Sequence, residues 1–427
     1  MRLIGAAISA VVGLVAASCS SPTENPSTTT TAQPATSSAT ASQPGESTLT
    51  PVVGSVLAAP IPVPATDGKI HLKYELLLTN ASGQEVQLTS VAAVADGKTL
   101  LRLSGDGLAY WTRVLGTDDP TTTLGIGVTA TVWLNVAVDE PADSPATIEH
   151  VIGVSLAQPE LPVLPATVTA TMAPTPVQGP RKPVVISPPL DGPNWVNVNG
   201  CCGMTSHREA EGPINGQLLI GERFAIDYVQ PTPNRRSFDG DKTNVESYAY
   251  FGADVHAVAD GPVVAAVDGL PEQIPGVKPT GMLLAERGGN HIIQDIGDGN
   301  YVFYAHLRPG SVTAKVGDQL KAGQTLGQLG NSGNTYGPHL HLEVMNNADQ
   351  LRANGLPFVF SSFRLDSRVP SELALNTFFD TGGPVRIQPG FAAQDETDVM
   401  PLYLDVMTYG QPTRDFRVWP GAGRQPA

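Results

Sequence analysis

The stretch GNTYGPHLHLEV, residues 333–344, sets a Gly-rich turn before a short apolar run that carries two histidines two positions apart. Side chains of a strand alternate between faces, so His339 and His341 point one way while Leu340 and Leu342 point the other. The neighbouring segments have the same character. ADVHAVADGPVVAAVDG (253–269), HIIQDIGDGNYVFYAHL (291–307) and QTLGQLG (324–330) read as strands joined by glycine-rich turns, with GDGN (297–300) as a hairpin connection.

Composition extends this reading to the whole chain. The 427 residues include 44 Gly and 38 Pro and few helix-favouring runs, which indicates a mostly β protein of two or three domains. The formal charge of −15, from 40 acidic and 25 basic residues, argues against a nucleic-acid partner, which needs a basic face.

The amino-terminal end carries its own information. Met1-Arg2 and the apolar LIGAAISAVVGLVAAS have the length and composition of a secretory signal (1–18), too short and too rich in Ala and Gly for a spanning helix. The run ends in LVAASC, which resembles the bacterial lipobox, with Ala16 where a larger aliphatic residue is commoner; Cys19 is then the lipidated first residue of the mature chain. A plain secretory signal is the alternative. The expected location is extracytoplasmic, with the chain held to the cell membrane by lipid. Residues 19–50, rich in Ser, Thr and Pro, cannot bury enough apolar surface to fold and read as a tether spanning roughly 30 Å as a coil.

Residues 51–175 hold evenly spaced strand-like runs: IHLKYELLLTN, EVQLTSVAAV, TLLRLSG, TATVWLNVAVD, IEHVIGVSL and ATVTATMAP. With turn chemistry between them they predict a small β-sandwich. This block has only His71 and His150 and no convergent polar cluster, so it reads as a non-catalytic module. A Pro-rich linker (176–195) leads to a second domain (196–380) and a C-terminal extension (381–427). Cys201 and Cys202 are adjacent, so no loop-closing disulfide framework is expected; a structural thiol pair is the first reading and an oxidised vicinal pair the second.

The second domain concentrates the chemistry. Val302, Tyr304 and His306 are expected on one side of a strand that ends at the histidine, and His339 and His341 on one side of another. In RFAIDYV, Ala225 and Asp227 share a face, while Phe224 and Ile226 turn the other way and pack. A carboxylate and several imidazoles on strand faces supply the donors that Zn²⁺ prefers and leave a position open. His256 and His291 are left outside the set.

The ordered segments NYVFYAHL, KVGDQLKAGQTLGQLGNSGNTYGPHLHLEV and ADVHAVADGPVVAAVDG together resemble the lysostaphin/LytM-type zinc metallopeptidases, over residues 196–360. That resemblance implies an antiparallel β-sheet metallopeptidase domain preceded by the β-sandwich. It also implies hydrolysis of bacterial peptidoglycan peptides by a water that zinc activates. By match to the family motifs, His341 is a zinc ligand and His306 and His339 are the catalytic pair, with their division of labour open. Asp227 matches the ligand aspartate. The family's histidine four residues earlier is replaced by Arg223; the layout NG…SHR…G…RFAID is similar to a branch with an insertion between these ligands, and makes His207 the third ligand. The INGQ turn lets the inserted chain loop out and return. Spacing alone also permits a rival site of His306, His339 and His341 with Asp227 idle. A non-catalytic, peptidoglycan-binding or hydrolase-activating relative is the alternative function; the presence of every motif residue favours the enzyme.

Overall fold

The computed structural model describes residues 47–179 and 181–410. The expected signal peptide, Cys19 and nearly all of the tether lie outside the described residues. From Leu49 onward the described chain forms one compact unit. It is built of two mostly antiparallel β modules.

The first module is the expected sandwich. One sheet runs Val52–Val56, Ile70–Asn80, Thr129–Val138 and Thr112–Val114, with Val63–Pro64 at its side. The other runs Thr167–Pro176, Thr147–Leu156, Val86–Ala95 and Lys98–Ser104, with Thr123–Leu124. Alternation explains the packing. Leu72, Tyr74, Leu76 and Leu78 from one sheet meet Leu88, Val91, Ile152 and Val154 from the other in a continuous core. His150 is buried there and satisfied by Tyr74 Oη at 2.9 Å and the Ala173 carbonyl at 3.0 Å, and His71 is held by Asp67 and Asn135. Both are structural, as expected of a module without a polar cluster.

The strand Ile70–Asn80 departs from a simple half-wet pattern. Its outward residues Lys73 and Glu75 are buried as well, 1% and 0% exposed, because that face packs on the second module.

The second module is organised on one large sheet. Its centre runs in the order Asn290–Asp295, Tyr301–Leu307, Leu340–Met345, Ile226–Val229, Gly192–Val198, Asp405–Tyr409, Phe363–Arg368. All of these neighbours are antiparallel. Leu340, Leu342, Val344, Ile226 and Tyr228 face the main core, so the alternate residues Asp227, His341 and Glu343 face the other side. Phe224 and Ile226 pack as alternation predicts.

Two boundaries differ from the sequence reading. Strand Gly192–Val198 begins inside the expected linker, and Asp405–Tyr409 comes from the expected C-terminal extension. Both are interior strands of the sheet, paired at Trp195↔Met407 and Val196↔Val406. The segment 381–410 is therefore part of the domain, while residues 411–427 lie outside the description. A helix, Glu372–Thr381, also stands where no helix was expected, capped by Ser371, whose Oγ accepts from Ala374 N, and closed by Gly382 at φ 63°.

Candidate metal centre and active site

Two sheet positions begin the site. Asp227 and His341 are register partners on adjacent antiparallel strands, and His341 Nδ1 lies 3.0 Å from Asp227 Oδ1. His207 arrives from outside the sheet, on a turn closed by Glu209 N donating to Thr205 O. Its Nδ1–H donates to the Ala225 carbonyl at 3.1 Å. A carbonyl only accepts, so this bond fixes the Nδ1 proton and aims Nε2 at Asp227 Oδ2, 3.1 Å away, where a metal would replace the Nε2 proton. Asn199, at the end of strand Gly192–Val198, donates to the same Oδ2 at 2.8 Å. It adopts φ 61°, a conformation that Asn tolerates better than most residues.

The insertion between His207 and Asp227 is the hairpin Gly212–Ile214/Gln217–Leu219. Its two-residue turn, Asn215 at φ 50° and Gly216 at φ 78°, is the left-handed pair that tight hairpins require. The chain loops out at INGQ and returns, as the sequence suggests.

His306 corrects the face assignment. Strict alternation would put it in the core with Val302 and Tyr304, which are buried there with no exposed surface. A bulge intervenes: Asn290 pairs with Leu307 but Ile292 pairs with Tyr304, which leaves one extra residue on the histidine strand. His306 takes φ 63° at this point and swings to the face of Asp227 and His341. Its Nδ1–H donates to Ser332 O at 2.7 Å. His339 is fixed in the same way, through Gly337 O at 2.8 Å. Each of these rings therefore turns Nε2 towards the groove. Their centroids are 4.6 Å apart, and His339 Nε2 is 3.4 Å from Asp227 Oδ1.

The glycine-rich turns serve both packing and the groove. A Cβ on Gly289 would stand 2.3 Å from Ser332 O, and one on Gly333 would stand 2.3 Å from Gly289 N. Backbones that touch this closely place the Ser332 carbonyl under His306. Gly288 and Tyr336 from the same turns line a groove of about 880 Å³, whose floor is formed by the five site residues. Phe379, from helix Glu372–Thr381, lines it as well.

Electrostatics follow from burial and proximity. Burial works against the charge on Asp227, but His207, His339 and His341 outweigh it and hold the carboxyl well below the usual range. Burial likewise opposes charge on His207, yet Asp227 raises it to about 9 in the metal-free protein. Burial lowers His306 far below its ordinary value, helped by the neighbouring imidazoles of His339 and His341, beside which a further positive charge is disfavoured. Burial also lowers His339, against the pull of Asp227. Glu343, two residues past His341 on the same face, is fully buried, and neither oxygen has a hydrogen-bond partner among the described residues. Burial, then the charge of Glu222, pushes its carboxyl well above the usual range.

Among the described residues, two donor groups could hold a metal ion: His207, Asp227 and His341, or His306, His339 and His341. The structure thus brings all five predicted residues together. His256 and His291 stay apart, His256 paired with Asp191 and His291 with the Gly289 carbonyl. Asn199, Ser332 and the groove helix were not foreseen. An Asn-Gly pair at the end of a strand is a usable signal for Asn199; a carbonyl acceptor leaves none.

Residues 243–353 match Peptidase family M23. This domain belongs to the lysostaphin/LytM-type family. The matched segment contains His306, His339 and His341, and the residues upstream of it supply His207 and Asp227. The chain is 32% identical over 126 residues to a glycyl-glycine endopeptidase, ALE-1 of Staphylococcus capitis, covering 29% of this chain and 30% of that protein. It is 35% identical over 99 residues to the peptidoglycan DD-endopeptidase ShyC of Vibrio cholerae, covering 23% of this chain and 21% of that one. The chain thus spans less than a third of the length of either relative. Among solved structures, the catalytic domain of lysostaphin from Staphylococcus simulans is similar at 22% identity, over 38% of this chain and 88% of that chain, with a TM-score of 0.22.

The vicinal cysteines are joined. Cys201 and Cys202 form a disulfide, correcting the first expectation of a thiol pair, and they lie in the segment between Asn199 and His207.

Proposed function

We propose that this chain is a zinc-dependent endopeptidase that hydrolyses peptide bonds of bacterial peptidoglycan. The observation that carries the reading is the convergence of His207 Nε2, the Asp227 carboxylate and His341 Nδ1, at separations of 3.0 and 3.1 Å, beside two further histidines. Donors placed at ~2.0–2.1 Å around a tetrahedral zinc stand about 3.3 Å from one another, so the trio fits that ion. Two neutral imidazoles and one carboxylate leave a net charge of about +1, the donor set of a catalytic rather than a closed structural site.

Zinc held there would polarise a peptide carbonyl and lower the pKa of a water towards ~7. His306 and His339 do the remaining work. Both rings are buried and neutral, and both present an Nε2 lone pair to the groove, so either one can take a proton from the attacking water. The resulting imidazolium, beside the buried Asp227 carboxylate, returns the proton to the leaving amine. The groove suits an extended, Gly- and Ala-rich peptide better than a deep apolar pocket would. The two curated relatives, named for cleaving glycyl-glycine and peptidoglycan DD bonds, support the substrate class. We further propose that lipid on Cys19 holds the chain at the outer face of the cell membrane, with residues 20–50 giving it reach into the wall.

Digestion of purified peptidoglycan, with products resolved by mass, tests the reading. The expected result is release of peptide with new amino termini, stopped by a chelator and restored by zinc. Zinc-replete protein that cleaves no wall chemotype would make the chain a binding relative instead.

A further inference from the structure

Arg223 stands four residues before Asp227, where the family pattern places a ligand histidine, and its side chain is committed elsewhere. The guanidinium donates to the carbonyl of Lys73 on sandwich strand Ile70–Asn80 and lies 3.5 Å from Glu75 Oε2. Lys73 Nζ donates back to the carbonyl of Arg223. The position that would hold a ligand is used to bolt the two modules together.

The segment after His207 is bolted down in the same manner. Arg208 is 1% exposed, and its Nη2 donates to Leu134 O at 2.7 Å and reaches Tyr74 O at 3.5 Å, both in the sandwich. Its Nη1 donates to Cys202 O at 3.2 Å, and the guanidinium lies 5.5 Å from the ring centroid of Trp111, again in the sandwich. Glu209 Oε1 is 3.4 Å from Arg113 Nε, and Glu211 Oε2 accepts from Thr131 Oγ1 at 2.8 Å. Three of the four residues following His207 are therefore fastened to the other module.

His207 needs such support more than its partners do. Asp227 and His341 sit in a hydrogen-bonded ladder, whereas His207 rides on an isolated turn. A ligand already ordered before the metal arrives pays no ordering entropy on binding. We propose that the β-sandwich is a working part of the metal site: it fixes the turn that presents His207, with Arg208 as the positioning residue. This rests on the zinc triad proposed above and assigns the non-catalytic amino-terminal module a role in metal binding. The coupling is reciprocal, so zinc also strengthens the contact between the modules.

The test uses the full chain and measures zinc affinity by competition with a chromophoric chelator, alongside far-UV circular dichroism of the metal-free protein. Arg208→Met is expected to weaken zinc binding about tenfold or more, in the range seen when groups supporting metal ligands are removed. Arg208→Lys should recover part of that loss. Thr131→Val, a change wholly within the sandwich, should weaken binding about threefold, a smaller step on the same scale. It guards against a misfolded Arg208→Met protein. Wild-type affinity in folded Thr131→Val and Arg208→Met would overturn the buttress. Wild-type affinity in His207→Ala would instead remove His207 from the triad, and the buttress with it.

Discussion

The two sides of the metal centre are built differently. Asp227 and His341 stand opposite each other on paired interior strands, where the ladder dictates both position and facing. His207 and His306 reach the same point from irregular backbone, one on a turn and one on a bulge with φ 63°. Ladder residues are held by the hydrogen bonds that make the sheet. Off-ladder residues need dedicated support, and here it comes from the sandwich, from the Ala225 carbonyl and from the contact of two glycine turns. The chemistry is shared; the engineering is not.

That contrast can be broken at several points. Asp227→Ala removes the residue that touches three of the four site histidines. It should abolish cleavage and weaken zinc binding by about 3 kcal/mol, roughly a hundredfold or more, as judged by chelator competition. His306→Ala or His339→Ala should leave zinc content near one per chain yet lower the cleavage rate by about 10²–10⁴, the usual worth of a general acid or base. Loss of zinc in either variant would favour the rival three-histidine site.

Acidity probes the off-ladder side. In the metal-free protein Asp227 raises His207 to about 9, so below that pH the ring carries a proton that the metal must displace. Proton release on binding means affinity increases with pH, by about tenfold per unit between pH 7 and 9, and then levels. His207→Ala should remove this slope, and a slope that persists would assign the proton to another group. The smallest effect is expected at the sandwich histidine His71, which pairs with Asp67 and Asn135 and does not line the groove. His71→Ala should change stability slightly and zinc affinity not at all.

The same contrast separates what was legible in the sequence from what was not. Period-two patterning locates the six longest sandwich strands, though not Val52–Val56, and the facing of Asp227, His339 and His341, because local alternation is enough when a strand lies flat in a sheet. The INGQ hairpin was legible for the same reason, since its turn residues encode their own geometry. The motif identifies His306, but alternation places it on the face of Val302 and Tyr304: a bulge shifts facing by one residue, and it depends on register with Asn290–Asp295 rather than on local pattern. Strand Asp405–Tyr409 looked like an appendage because its partner, Gly192–Val198, lies about two hundred residues earlier in the chain. Lys73 and Glu75 fall on the outward face of their strand by alternation. Nothing local to IHLKYELLLTN says that this face meets another module instead of water.

Anomalous diffraction from crystals grown with zinc distinguishes the two donor groups by the position of the metal itself. One zinc peak is expected within bonding distance of His207 Nε2, an Asp227 carboxylate oxygen and His341 Nδ1, with His306 and His339 beside it and unligated. A peak bound by His306, His339 and His341, with His207 and Asp227 still paired to each other, would contradict that triad.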